Sequence, residues 1–183
     1  MLQALRNAIS ISDLRRKLLY TFAILVVFRL AAHIPVPGVD QVALESMLGG
    51  TGGASQLFNL LNLLSGGAVQ RLSVMAVGVQ AYITSTIVFQ LLTPIIPALQ
   101  RLSEEGEAGR RKLNQYQYWI TVPLALLQAF GQVQGLNNLG DAPVVPGFGF
   151  SGENLLPTLA ILVAMTAGSM LAVWLGELIT EQG

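Results

Sequence analysis

The sequence predicts an all-α, polytopic membrane protein: four transmembrane helices, an N-terminal amphipathic helix and a short re-entrant helix, all in one membrane domain of 183 residues. Three observations carry that prediction. Charged residues make up 11% of the chain against 52% hydrophobic, with a mean hydropathy of +0.59. A soluble domain carries about 25% charged residues, so an ordinary water-soluble globule could not cover its surface with this supply. The charges are also confined. None occurs from Leu72 to Gln100, from Leu113 to Gly140 or from Asn154 to Gly176, and each stretch exceeds the roughly 20 residues that cross a hydrocarbon core about 30 Å thick. A fourth apolar segment runs from Leu18 to Ile34.

Each element follows from local sequence. Residues 1–17 form a cytoplasmic amphipathic segment, with Leu2, Leu5 and Ile9 at helical spacing beside Arg6, a pattern suited to the inner membrane surface. Residues 18–34 are the first span; Arg29 and His33 sit near its far end, where long side chains reach the interface. Pro35-Val36-Pro37-Gly38 follows, not a small-residue cleavage site, so this is no cleaved signal peptide. Residues 46–71 read as a re-entrant segment broken by Gly49, Gly50, Gly52, Gly53, Gly66 and Gly67. Its apolar core from Leu57 to Leu64 would extend only about 12 Å as a helix, and irregular backbone at membrane depth must be buried in protein or face water. A lipid-facing surface loop is the other reading. The second span is 72–97, ended by Pro94 and Pro97. A charged cytoplasmic loop, 98–112, precedes the third span, 113–135, which Pro123 should kink. An external loop, 136–153, leads to the fourth span, 154–176, with Pro157 in its first turn.

Basic residues set the orientation. Arg6, Arg15, Arg16 and Lys17 precede the first span, and Arg101, Arg110, Arg111 and Lys112 fill the 98–112 loop, whereas 35–53 and 136–153 contain no Lys or Arg. The positive-inside rule places both termini and the 98–112 loop in the cytoplasm, with Arg71 the exception on the outer side. Tyr20, Tyr116, Tyr118, Trp119 and Trp174 fall near the cytoplasmic ends, as interfacial rings prefer.

Chemistry-bearing residues are sparse. His33 is the sole histidine and has no second metal ligand at suitable spacing. Glu104, Glu105 and Glu107 share a loop with Arg110, Arg111 and Lys112 and read as a solvated charged loop. Gly49-Gly50-Thr51-Gly52-Gly53 lacks the lysine of a phosphate-binding loop. No span contains an aspartate, so no Ser/His/Asp set assembles, and neither an enzyme nor a cofactor or metal is expected. With ten basic and ten acidic residues the formal charge is zero, which offers no bulk attraction to nucleic acid. The absence of cysteine removes disulfides and thiolate sites.

Two helix faces say more. Ala160, Ala164, Gly168, Ala172 and Gly176 recur every four residues, a small-residue stripe read as one intramolecular packing seam. In the second span Ile83, Ile87 and Leu91 form an apolar ridge, while Gln80, Thr84, Thr86, Gln90 and Thr93 add polar groups around the same helix. A purely lipid-facing helix has no use for them, so part of this helix should face protein or water, as in a conduit.

Five motifs in order then carry a family resemblance: His33-Ile34-Pro35-Val36-Pro37-Gly38; Phe58-Asn59-Leu60-Leu61-Asn62-Leu63-Leu64-Ser65-Gly66-Gly67-Ala68; Tyr82-Ile83-Thr84-Ser85-Thr86-Ile87; Glu105-Gly106-Glu107-Ala108-Gly109-Arg110-Arg111-Lys112; and Trp174-Leu175-Gly176-Glu177-Leu178-Ile179-Thr180-Glu181. Together they resemble the SecY family of protein-translocation channels, its bacterial branch in particular, along the whole chain. The resemblance implies ten transmembrane helices in two pseudo-symmetric halves, of which this chain carries the first four. It implies a central translocase subunit in the bacterial inner membrane that passes unfolded secretory polypeptides and releases hydrophobic segments into lipid through a lateral gate. Residues Leu57, Phe58, Asn59, Leu60, Leu61, Asn62, Leu63, Leu64, Ser65, Gly66 and Gly67 would be the plug, Ile83 and Ile87 this half's share of the pore ring, and Thr84 and Gln90 candidate lateral-gate residues. The implied partners are the lipid bilayer, SecE-type and SecG-type small membrane subunits, the translocating polypeptide and its signal sequence. A SecA motor or ribosome would bind through regions mostly outside this chain. One departure is Ala81, where the family usually carries proline before Tyr82. Rival readings are half of a secondary transporter with a broken helix at 46–70, which lacks the expected midplane ionisable group, and a four-helix structural subunit.

Overall fold

A computed structural model describes residues 12–49, 60, 63, 71–139 and 143–182. Among these residues the chain is helical, and an isolated antiparallel bridge between Pro35 and Ser73 stands in place of any sheet. This is the fold of an all-α membrane protein. The expected amphipathic helix falls mostly on 1–11 and the expected plug mostly on 50–70, outside the described residues; Leu60 and Leu63 are helical and exposed.

Helix α1, Ser12–Ala31, opens inside the basic stretch that was expected to precede it, and ends three residues before Ile34. Asp13 in its first turn and Arg29 in its last both suit the helix dipole. The end is tied by His33, whose Nδ1 lies 2.7 Å from the Arg29 carbonyl oxygen, satisfying an acceptor that the finished helix leaves open. A helix missed in the sequence, α2, Gln41–Gly49, follows in the stretch expected to be a loop. Asp40 caps it: its Oδ1 accepts from the Val42 and Ala43 amides at 2.9 and 3.2 Å. Residues 46–49, expected at the start of the re-entrant segment, thus belong to α2.

The second expected span is the largest correction. Residues 71–79 are irregular, and the helix α3 covers only Gln80–Leu92, about 20 Å long and by itself too short for a hydrocarbon core of about 30 Å. Pro94 falls just after its end. Pro97 does not end anything; it occupies the first turn of α4, Pro97–Glu104, where its missing N–H does no harm. The two helices are bent by 100° across the break. The charged loop expected over 98–112 is instead α4, a turn at Gly106 with φ +74°, and the start of α5, Glu107–Leu139. Gly109 allows the contact: a β-carbon there would overlap the Leu102 carbonyl. The exposed pair Lys112–Glu105, at 4.0 Å, adds little. α5 runs about 50 Å and stays helical through Pro123.

A 3-10 turn, Gly152–Asn154, leads into α6, Leu155–Gln182. Among the described residues α6 is the one helix that alone is long and apolar enough to cross a membrane, and the bent pair α3–α4 passes together. α1 and α5 are long enough to cross, but α1 includes Asp13, Arg15, Arg16, Lys17 and Arg29, and glutamines and asparagines dilute α5. The expectation of four spans rests on the charge pattern of the sequence alone.

The core has two parts. One gathers Leu44, Leu72, Val133, Val144 and Met165; the other gathers Ile24, Ala32, Met75, Ala172 and Leu175. Val74 packs against both, so the 72–77 stretch of the irregular segment is a largely buried strap joining them. The small-residue stripe is not one seam. Each four-residue step overshoots a full turn by about 40°, so the stripe winds about 160° around α6. Gly168 and Ala172 are buried, Ala164 is half-buried, and Ala160 and Gly176 are exposed. The face that packs follows mixed steps of three and four through Thr158, Leu162, Met165, Ser169, Ala172 and Leu175.

Candidate functional site

The site is built on α3, whose two faces have opposite fates. Ala81, Ser85 and Phe89 are buried, and two residues further on, about 200° around the helix, Ile83, Ile87 and Leu91 remain 45, 50 and 64% exposed. The buried face is fastened to α5. Tyr82 stacks on Tyr118 with ring centroids 5.7 Å apart, and the Ser85 hydroxyl donates to the Gln117 carbonyl at 3.0 Å. Gln128 Nε2 approaches Thr84 Oγ1 at 3.4 Å. The apolar ridge read from the sequence therefore exists and points away from the helix that holds α3.

The threonines of α3 and of its C-cap have a different explanation from the one expected. Thr84, Thr86 and Thr93 donate their hydroxyls to the carbonyls of Gln80, Tyr82 and Phe89, at 2.9, 2.9 and 2.7 Å. Each bond runs back four residues within the helix, which lets threonine sit at membrane depth without water. Their number alone is thus no sign of a conduit. Of the two gate candidates, Thr84 lies half-buried at the α3–α5 seam and Gln90 is exposed. Along the same stretch of α5 the buried oxygens Gln128 Oε1, Gln132 Oε1 and Tyr118 Oη find no partner among the described residues.

A cleft of about 510 Å³ opens beside the ridge. Val79, Tyr82 and Ile83 of the α3 entrance line one side, Asn114 of α5 another, and Gly176 and Glu177 near the end of α6 the third. Ile83 is the residue common to ridge and cleft. Ile87 is not in its lining, and no stripe residue except Gly176 takes part. The break expected by the transporter reading at 46–70 falls mostly outside the described residues, its first four residues lying in α2; the break observed lies at 93–96.

What positions α3 is the strap before it, a feature no motif of apolar residues announced. Val36 N–H donates to the Leu72 carbonyl and Val74 N–H to the Ile34 carbonyl, each at 3.0 Å. Met75 N–H donates to Ser73 Oγ at 3.1 Å. The Pro35-Val36 portion of the first motif thus forms one wall of the strap. The only sequence signal was the pair of prolines around Val36, which keep that backbone extended.

Comparison with known proteins shows the family. The SecY family profile matches residues 73–183, the strap through α6. Over its whole length the chain is 42% identical to the protein translocase subunit SecY of Streptomyces coelicolor, 40% to that of Corynebacterium glutamicum and 39% to that of Mycobacterium tuberculosis. In each case it covers 42% of the relative, so the chain spans about two fifths of the length of these curated proteins.

Proposed function

This chain belongs to the SecY family of membrane-embedded protein translocase subunits, and on that premise we propose that it forms part of the central pore of the Sec translocase. In this reading unfolded secretory polypeptides pass along the exposed side of α3, and hydrophobic segments leave sideways into lipid. The observation that carries it is the ridge of Ile83 and Ile87, half-exposed on the side of α3 opposite its packed face. Isoleucine is stiff at its β-carbon. A collar of such side chains excludes water and offers a passing chain neither charge nor hydrogen bonds. Residues Leu57 to Gly67 serve as the plug. Thr84 and Gln90 lie on the gate side, and α3 with α5 forms one wall of the lateral gate. SecE-type and SecG-type subunits complete the assembly, with a SecA motor or ribosome docking mostly on regions beyond this chain. The role is conduction, with no catalytic group.

A photo-crosslinking amino acid placed at Ile87 in the full-length channel should capture a secretory polypeptide arrested in transit, and one at Leu156, 79% exposed on α6, should not. Equal capture at both sites, or none at Ile87, rejects the assignment.

The same reading puts both termini and the α4–α5 turn in the cytoplasm of a bacterial cell, on the strength of Arg101, Arg110, Arg111 and Lys112. The chain contains no cysteine, so single cysteines report topology cleanly. Gly109 cannot host the inner probe, because a side chain there meets the Leu102 carbonyl; exposed Glu107 can. In intact cells a membrane-impermeant maleimide should label Asn138→Cys and leave Glu107→Cys untouched. The reverse pattern overturns the orientation.

A further inference from the structure

We propose that Gly168, in the middle of α6, is a positioning residue: it seats the 72–77 strap and thereby sets where α3 presents Ile83 and Ile87. The proposal rests on the pore reading for its functional consequence, and on geometry alone for the positioning. A β-carbon at Gly168 would overlap the Val74 carbonyl oxygen and lie 2.6 Å from its carbon. The obstacle is backbone, which cannot rotate aside as a flexible side chain does. Relaxed carbon pairs sit at 3.5–4.0 Å, so even a methyl group would drive the strap off α6 by about 1 Å.

The strap has nowhere to retreat. On its other edge the bonds from Val36 to Leu72 and from Val74 to Ile34 hold it against the end of α1. Leu72, Ser73 and Met75 are 0, 0 and 3% exposed. Leu72 is held at φ 39°, in the left-handed region that a branched side chain rarely adopts, and Gly78 takes φ 56° at the turn into α3. A segment this constrained carries no slack between Gly168 and Gln80, the first residue of α3. Movement at Val74 is therefore passed on to the helix. Gly176, four and eight residues along the same stripe from Ala172 and Gly168, has open space around its missing β-carbon, so small size alone does not confer the role.

The test uses the full-length channel carrying this segment, with nitroxide labels on cysteines at Leu91 and Leu156, 64 and 79% exposed, and on a control pair at Trp119 and Leu156. Gly168→Ala should shift the 91–156 distance by about 1 Å or more, leave the 119–156 distance unchanged and raise the resting ion conductance. Gly131→Ala, at an exposed glycine of α5 with open space around its missing β-carbon, should do none of these. If the 91–156 distance holds in Gly168→Ala, Gly168 merely packs and the proposal is overturned, whatever the thermal stability shows. A shifted distance with no change in conductance upholds the positioning and instead defeats the pore assignment of Ile83 and Ile87. Should Gly168→Ala fail to assemble, Ser73→Ala removes the bond to the Met75 amide at nearly constant volume. A broadened 91–156 distribution then supports the strap as the coupling element, and an unaltered one overturns it.

Discussion

Full-length channels in which Ile83 and Ile87 are both replaced by serine should leak ions at rest in planar bilayers at least about tenfold more than the parent. Transferring one isoleucine side chain between water and an apolar surrounding is worth about 1.5–3 kcal/mol. A collar wetted by two hydroxyls therefore lowers the barrier to an ion by an amount of that order, and each 1.4 kcal/mol, roughly, is tenfold in rate. Both residues are half-exposed here, at 45 and 50%, and their side chains stack one turn apart on α3, so the pair acts as one surface. Deleting residues 57–67 as well should raise the leak further, since a plug and a collar block the same path. Serine at Val88 and Leu92, both half-buried on other faces of α3, is the control. If the Ile83/Ile87 variant conducts no more than that control, the ring assignment fails.

The second large effect is on stability. Asn137 sits near the end of α5 and closes a two-way amide pair with Val145: its Oδ1 accepts from the Val145 N–H at 2.9 Å, and its Nδ2 donates to the Val145 carbonyl at 3.3 Å. Val145 is 2% exposed. Asn137→Leu leaves that amide buried without a partner, while the carbonyl keeps the Phe148 N–H at 3.3 Å, and at about 1–3 kcal/mol for an orphaned group the change should cost about that much. The loop it pins is also held by Phe130, which lies 5.6 Å from both Phe148 and Phe150, and by the Thr158 hydroxyl against Gly149. The loss should thus lower the thermal midpoint in detergent without unfolding the helices. Asn137→Asp keeps the acceptor, loses the donor and places a carboxylate beside a carbonyl, so it should fare no better. Asn138, the next residue, is exposed, and its leucine variant should lie within about 0.5 kcal/mol of the parent. Equal melting of Asn137→Leu and Asn138→Leu would refute the clamp.

Those two neighbours mark the limit of what could be read without coordinates. Nothing in the pair Asn137-Asn138 distinguishes the clamp from the solvated side chain, because the partner is a backbone group eight residues away on a returning loop. The fold class was legible because lipid exposure and helix formation both write themselves into composition: charges cluster outside runs of about 20 apolar residues, and backbone groups in lipid must bond within a helix. The ridge of Ile83 and Ile87 was legible for a similar reason, since i, i+4 spacing places two side chains on one face in any helix. Family membership was legible through motifs spread along the whole chain, and the profile match and relatives bear it out.

Hydropathy, however, measures what a segment can be buried in and says nothing about its backbone. The uncharged run from Leu72 to Gln100 looked like one continuous span, yet it divides into a buried strap, a short helix and a second helix at 100° to the first. The strap satisfies its amides against Ile34 and Ser73 instead of within a helix, a choice made by residues some 40 positions earlier. The stripe on α6 failed in the same way. A four-residue repeat is straight when written out, but on a helix of 3.6 residues per turn it winds, and only contact with Val74 decides that Gly168 is the position where smallness matters. The sequence by itself determined the helical membrane class, the family and the apolar face of α3. Tertiary structure decided which small residues, which asparagine and which stretch of backbone hold that face in place, because those depend on partners brought together from distant parts of the chain.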